Sequence, residues 1–185
     1  PRPRAAAKAT LDLSAERLGD LLGLIYESAL KPDTWVTALS ALRDVFEGNY
    51  VSLIVRPGSG DDLGLIVSAA GDHRTIDPNN PPLSLSPFSG MLPDRVVTVD
   101  DVLTEQDWRA SSYFRDWCAP HDVFQVMAVD IQTRDGGVYG LRITRGDGAP
   151  RFSPADRSRC QVLLPHLRRA LDLHLSVNQD RQVNQ

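Results

Sequence analysis

Between Val123 and Gly146 the chain reads VFQVMAVDIQTRDGGVYGLRITRG, and this stretch limits the fold more than any other. Apolar residues recur at every second position on both sides of a glycine-containing turn. That is the pattern of two antiparallel strands with one face on a core. With Asp135, Gly136 and Gly137 as a three-residue turn, Ile131 is expected to oppose Leu141, Val129 to oppose Ile143, and Met127 to oppose Arg145. One face is then nearly continuous in apolar side chains. The other carries Asp130 beside Arg142. Such a cross-strand pair contributes about 0.2–1 kcal/mol if solvated, and becomes a polar anchor if a pocket covers its face.

The flanking segments supply the rest of the layers. Leu18, Leu21, Leu22, Ile25 and Ala29 share one helical face that Ser14 can cap, and LKPD ends that helix. Asp33 is expected to cap a second helix with Trp35, Leu39, Leu42 and Phe46 on one face, stopped by Gly48 and Asn49. The period then changes to two. YVSLIVRP and LGLIVSAA, separated by GSGDD, form a strand pair with Val51, Leu53 and Val55 facing one way. The proline-rich stretch from Asp72 to Arg95 reads as a long surface loop of the kind that covers a binding site. After it come a short extended piece and a helix, with Tyr113, Phe114 and Trp117 as an aromatic stripe and Pro120 at its end.

The last helix opens on a strong local signal: Ser153 as N-cap, Pro154 in the first helical position and Asp156 three residues after the cap. Leu163, Leu164, Leu167, Ala170, Leu171, His174 and Leu175 give it a wide apolar face, while Arg157, Arg168 and Arg169 project elsewhere. Pro165 sits in its interior, where a proline costs roughly 3 kcal/mol unless the helix bends. Either the bend redirects a helix that leaves the domain, or it wraps the helix around the core. The order of elements predicts an α+β fold, an antiparallel sheet with helices on both faces and no βαβ unit.

A chain of 185 residues, 42% hydrophobic, suffices for one domain. Twenty Lys and Arg against 24 Asp and Glu leave a net charge of −4, so the chain has no basic field for a phosphate backbone. No apolar run approaches a membrane span and residues 1–13 lack the apolar core of a signal peptide, so a flexible lead and a cytoplasmic location are expected. Cys118 and Cys160 lack metal-ligand spacing and read as free, buried thiols.

The segment RFSPADRSRCQVLLPHLRRALDLHL resembles the closing segment of the N-terminal sensor domains of LuxR-type helix-turn-helix regulators. Phe152, Ser153, Asp156, Leu163, Pro165, His166, Leu167, Arg169, Ala170 and Leu171 carry the resemblance. LKPDTWVTALSAL with Trp35, and VDDVLTEQDWRASSYFRDWCAPHDV with Trp108 and Tyr113, extend it. The order of elements is similar to that of GAF and PAS-like sensor domains. The resemblance implies a sensor and dimerisation domain over residues 14–178. It also implies a linker beginning at 179–185 and DNA contact only through a domain absent from this chain. The Trp, Tyr and Asp pattern of acyl-homoserine-lactone receptors is not recognisable. It further implies a homodimer, with Pro165, His166 and Arg169 on a signalling helix.

The residues themselves argue against catalysis. His73, His121, His166 and His174 are scattered; His121-Asp122 lacks a nucleophile elbow, and His166 and His174 are too far apart to chelate one metal. No catalytic residue, metal or cofactor is expected. Tyr113, Phe114, Trp117 and Phe124 are either core or the wall of a pocket. In the second case Asp130 and Arg142 are its polar points, suited to a small, partly apolar ligand with a polar head. The alternative is a stand-alone dimerisation module whose sheet face is filled by side chains.

Overall fold

A computed structural model of the chain describes residues 13–56, 66–70, 87–88 and 90–183. Residues 1–12 of the expected lead at 1–13, the GSGDD turn and most of the proline-rich loop lie outside these. Helix α1 spans Ala15–Leu30 and begins where the Ser14 hydroxyl accepts the Arg17 N–H at 3.2 Å, as its sequence predicts. Helix α2 spans Trp35–Val45. Asp33 does not cap it. Pro32 opens a 3₁₀ turn, Pro32–Thr34, and Thr34 already has helical angles, so the chain enters α2 without an extended capping residue.

The stop of α2 also differs from expectation. Glu47, not Gly48, takes the left-handed conformation (φ 50°), with Gly48 N–H bonded to Arg43 O at 2.9 Å and Glu47 N–H to Asp44 O at 3.3 Å. Gly48 is required for a different reason. A Cβ there would stand 2.8 Å from the Thr144 carbonyl oxygen.

Five strands form one antiparallel sheet: β1 (Tyr50–Arg56), β2 (Ile66–Ala70), β3 (Val97–Thr98), β4 (Gln125–Gln132) and β5 (Val138–Arg145), in the order β2-β1-β5-β4-β3. The β4–β5 register is two residues from the expected one: Ile131 opposes Tyr139, Val129 opposes Leu141, and Met127 opposes Ile143. The turn is centred one residue earlier. Thr133 N–H bonds Gly137 O at 3.0 Å, Gly136 supplies the positive φ of 85°, and Asp135 Oδ1 accepts from both Thr133 Oγ1 and Gly137 N–H. Because the slip is even, every side chain keeps its expected face.

Those faces separate two cores. Val51, Leu53, Met127, Val129, Ile131, Leu141 and Ile143 pack under α1, α2 and the last helix, α5, which spans Pro154–Val183. On the other side Val97, Val126 and Ala128 pack under Phe88 and the segment from Val99 to Phe124. The expected α+β arrangement with helices on both sheet faces is the observed one. Helix α5 runs through Pro165, which faces solvent; the Gln161 carbonyl is left without its usual donor. On its inner side His166 Nδ1 lies 3.0 Å from the Tyr26 hydroxyl and fastens α5 to α1. Among the described residues no helix is long and apolar enough to cross a membrane.

One buried cation joins these elements. Arg145 at the end of β5 donates to Phe46 O at the end of α2 (3.1 and 2.6 Å), to Pro150 O and Arg151 O, and to both carboxylate oxygens of Asp156 at 3.3 Å. Asp156 completes the capping box of α5, accepting the Ser153 N–H at 2.8 Å while Ser153 Oγ accepts the Asp156 N–H at 3.2 Å. Phe152 covers the guanidinium at 4.3 Å. Asp156→Ala is expected to lower the unfolding free energy by about 3–5 kcal/mol, because it leaves Arg145 buried and uncompensated. Asp100→Ala, which removes an exposed pair, is expected to cost less than about 1 kcal/mol; urea denaturation of both variants checks the contrast.

Candidate functional site

The second face of the sheet carries the polar pair expected from the hairpin, and it is not solvated. Asp130 and Arg142 are 4% and 8% exposed, with Arg142 Nη2 donating to Asp130 Oδ1 at 3.0 Å. Two buried charges on one face persist only when paired and hydrogen-bonded. Arg142 Nη1 also donates to Leu141 O at 3.0 Å. The register explains the diagonal contact: Asp130 opposes Gly140, and Arg142 opposes Ala128. A Cβ on Gly140 would lie 3.2 Å from Arg142 Nη1 and 3.3 Å from Asp130 Oδ1, so glycine leaves the pair its space. Phe88 lies over the guanidinium at 5.6 Å.

A polar-edged cap covers this face. Helix α3 (Val99–Val102) is closed by a capping box between Thr98 and Asp101, and α4 (Glu105–Ala110) by the Thr104 hydroxyl. The expected single helix is broken after Ala110: Ser111 is extended, its hydroxyl donating to Trp108 O at 2.7 Å and accepting the Phe114 N–H at 3.1 Å. Residues Phe114–Cys118 then form a π-helical turn. π turns of this kind often occur at functional sites.

The turn sorts the four aromatic candidates into two pairs. Phe114 and Phe124 meet edge to face at 5.4 Å, beside Trp108, whose Nε1–H donates to Phe124 O at 3.0 Å. Phe114 is buried, and Phe124 is half-buried against the same cluster. Tyr113 and Trp117 instead stack at 5.6 Å with an interplanar angle of 18°. Burial pushes the Tyr113 phenol far up its range, opposed by the positive field of Arg142, and lifts the neighbouring Cys118 thiol to about 12. Both groups are neutral at physiological pH. The Trp117 Nε1–H is buried and has no acceptor among the described residues. A buried indole donor normally finds one.

The structure thus pairs Asp130 with Arg142, puts Tyr113 in the field of Arg142 with Trp117 stacked on it, and packs Phe114 and Phe124 into the same cluster on this face. Phe88 and Gly140 adjoin the pair and were not expected. Phe88 stands in a loop without periodicity, and the only hint was an aromatic among prolines, SPFSGMLP. Pro165, His166 and Arg169 are on α5, under the opposite sheet face; Pro165 and Arg169 are exposed. Arg168 pairs with Asp94, and Arg134 N–H donates to Asp172 Oδ1 at 2.9 Å along the same edge.

The remaining polar candidates hold backbone. His121 Nδ1 lies 2.7 Å from Trp117 O, and Asp122 takes a left-handed conformation in which its carboxylate accepts the Asp147 N–H at 2.9 Å. His174 meets Trp35 edge to face at 6.3 Å, and His73 lies outside the described residues. Cys118 and Cys160 are free and buried, as expected. Among the described residues no group of three His, Cys, Asp or Glu side chains is placed to hold a metal.

At the rim, acidic residues of the cap meet arginines of the segment that leads into α5. Arg151 donates to both oxygens of Asp100 at 2.9 Å and to Glu105 at 2.8 Å, and Arg157 donates to Asp101 at 2.7 Å and to the Thr98 hydroxyl at 2.9 Å. Burial raises the Asp101 carboxyl, but the bonds from Arg157 and Thr98 outweigh it and hold the group below the usual carboxylate range. Arg109 and Arg151 do the same for Glu105.

No family model matches the chain, and no curated protein matches it. Solved structures do. The LBD domain of VqsR from Pseudomonas aeruginosa superposes with a TM-score of 0.58 at 16% identity, over 88% of this chain and 96% of that one. Escherichia coli SdiA gives 0.58 at 11% identity, over 87% of this chain and 69% of SdiA. CepR2 from Burkholderia cenocepacia, an N-acylhomoserine lactone dependent LuxR family transcription factor, gives 0.53 at 15% identity, over 88% and 96%. At these identities the likeness is one of fold, and it falls on the same group of proteins as the resemblance carried by Phe152 to Leu171.

The two cap tryptophans are expected to respond differently to the same change. Trp108→Phe loses a buried hydrogen bond to the Phe124 carbonyl, whereas Trp117→Phe removes a donor that has no acceptor among the described residues. Urea denaturation should therefore find Trp108→Phe less stable than Trp117→Phe by about 1–2 kcal/mol. Equal losses would mean that the Trp117 indole is satisfied in the free protein.

Proposed function

We propose that this chain is the ligand-sensing domain of a LuxR-type transcriptional regulator. Its ligand is a small, partly apolar molecule held against the second sheet face, under the cap. The observation that carries this reading is the buried Trp117 Nε1–H, without an acceptor among the described residues and stacked on Tyr113, which lies in the field of the Arg142 that pairs with Asp130 under Phe88. The pair has no net charge to offer, so the ligand is neutral overall, and the indole asks for an acceptor such as a carbonyl oxygen. The domain covers residues 14–178, binds and does not catalyse, and contacts DNA only through a helix-turn-helix domain linked beyond residues 179–185. It works in the cytoplasm as a homodimer. The exposed ridge of Pro165, Arg169 and Leu173 on α5, spaced four residues apart, supports a second copy as partner there.

The test is the melting temperature of the purified chain with neutral N-acylhomoserine lactones of short and long acyl chains, and with fatty acids of matching length as charged controls. A ligand at about 100 times its Kd stabilises by about 2.7 kcal/mol, which for a domain of this size is a rise of about 5–10 °C. The reading expects such a rise for a neutral, acceptor-bearing compound and a much smaller one in Trp117→Phe. If only the charged controls raised the transition, or if Trp117→Phe responded like the parent chain, the proposed site would be wrong.

A further inference from the structure

The cap is joined to the rest of the domain in two different ways. On its inner side it is held by packing: Trp108, Phe114 and Phe124 bury against Val97, Val126 and Ala128. On its outer side it meets the entry to α5 through charge, with Asp100, Asp101 and Glu105 of the cap against Arg151 and Arg157. Those side chains are between about one-third and 60% exposed, whereas Arg145 and Asp156, directly beneath them, are 4% and 6% exposed. Exposed pairs contribute little singly and are weakened by salt; a network bridging two elements is harder to replace by water.

The two layers divide the work. The buried Arg145–Asp156 node holds the first turn of α5 to the sheet through contacts that include no residue of α3 or α4. The exposed network holds the cap to that same turn. Loss of the exposed network leaves the cap held only by its inner packing, with the buried node still joining α5 to the sheet.

We infer that Asp100, Asp101 and Glu105 with Arg151 and Arg157 form an electrostatic latch that keeps the cap closed on the sheet and ties its position to the first turn of α5. Two arginines serve three carboxylates, and Arg151 alone spans α3 and α4, so the two short helices are held as one unit. Arginine suits this bridging position because its planar fork reaches two acceptors at once. That the closed cap covers a ligand rests on the sensing function proposed above; the latch itself does not.

Hydrogen–deuterium exchange by mass spectrometry on the full chain tests it, comparing the parent with Arg151→Ala/Arg157→Ala and with Arg151→Lys/Arg157→Lys. The alanine double variant is expected to exchange residues 99–110 about tenfold faster while α1 and the β4–β5 hairpin stay unchanged, as for local opening of one unit. The lysine variant, which keeps both charges but loses the fork, should fall between the parent and the alanine variant. Unchanged exchange over 99–110 in the alanine variant would overturn the latch. So would an equal rise in the hairpin, which marks global loosening, or a lysine variant as fast as the alanine one. These readouts need no ligand, so a chain that binds nothing in the melting experiment leaves the latch standing or falling on exchange alone.

Discussion

At the junction of the sheet and the last helix, a guanidinium is withdrawn from water and its bonds are distributed over three elements. Arg145 reaches the end of α2, the segment before α5 and the Asp156 carboxylate that closes the α5 capping box. Taking such a pair out of water costs several kcal/mol per ion, so its worth lies in position as much as in stability. It fixes where α5 begins. From that point Cys160, Leu163, Leu164, Leu167, Ala170 and Leu171 drop into the core under β4 and β5, and the helix has one way to lie. The motif that carries the LuxR resemblance, Phe152, Ser153 and Asp156, is thus the physical joint of the fold, with Phe152 as the lid on the cation.

The sheet then treats its two faces unequally. One is filled by apolar side chains from the sheet and from α1, α2 and α5. The other carries Asp130 and Arg142, a glycine that makes room for them, and an aromatic cap with a buried donor left over. A fold needing only stability would place apolar side chains at these positions, since a buried ion pair rarely outperforms them. The cost is rational where polar groups must be ready for something that is not the protein. The latch at the rim and the node beneath it place that face next to the start of the helix that would carry a response.

Sequence patterns revealed this architecture wherever the signal was local. Ser153, Pro154 and Asp156 announced α5 because a capping box is written in four consecutive residues, and Ser14 announced α1 in the same way. The hairpin faces were legible because alternation has a period of two, but the register was not: Gly136 and Gly137 are both plausible turn glycines, and only the Thr133 and Asp135 side chains select the first. The burial of Asp130 and Arg142 depends on Gly140 and on a cap tens of residues away, so no local pattern encodes it. Phe88 lacked any periodic context. The break after Ala110 had a trace in the paired serines of ASSY, where Ser111 both ends α4 and caps the next turn.

In the proposed sensing domain, the second sheet face meets its ligand through the Trp117 indole. The most direct measurement is the set of indole N–H resonances of the chain labelled with ¹⁵N-tryptophan, recorded with and without a neutral N-acylhomoserine lactone that raises its melting temperature. The Trp117 signal is expected to move downfield as it gains an acceptor. The other two indoles, Trp108, already bonded to Phe124 O, and Trp35, under the opposite face, are expected to stay in place. A Trp117 resonance that stays in place while Trp35 shifts would put the ligand on the other side of the sheet and rule out the Trp117 site.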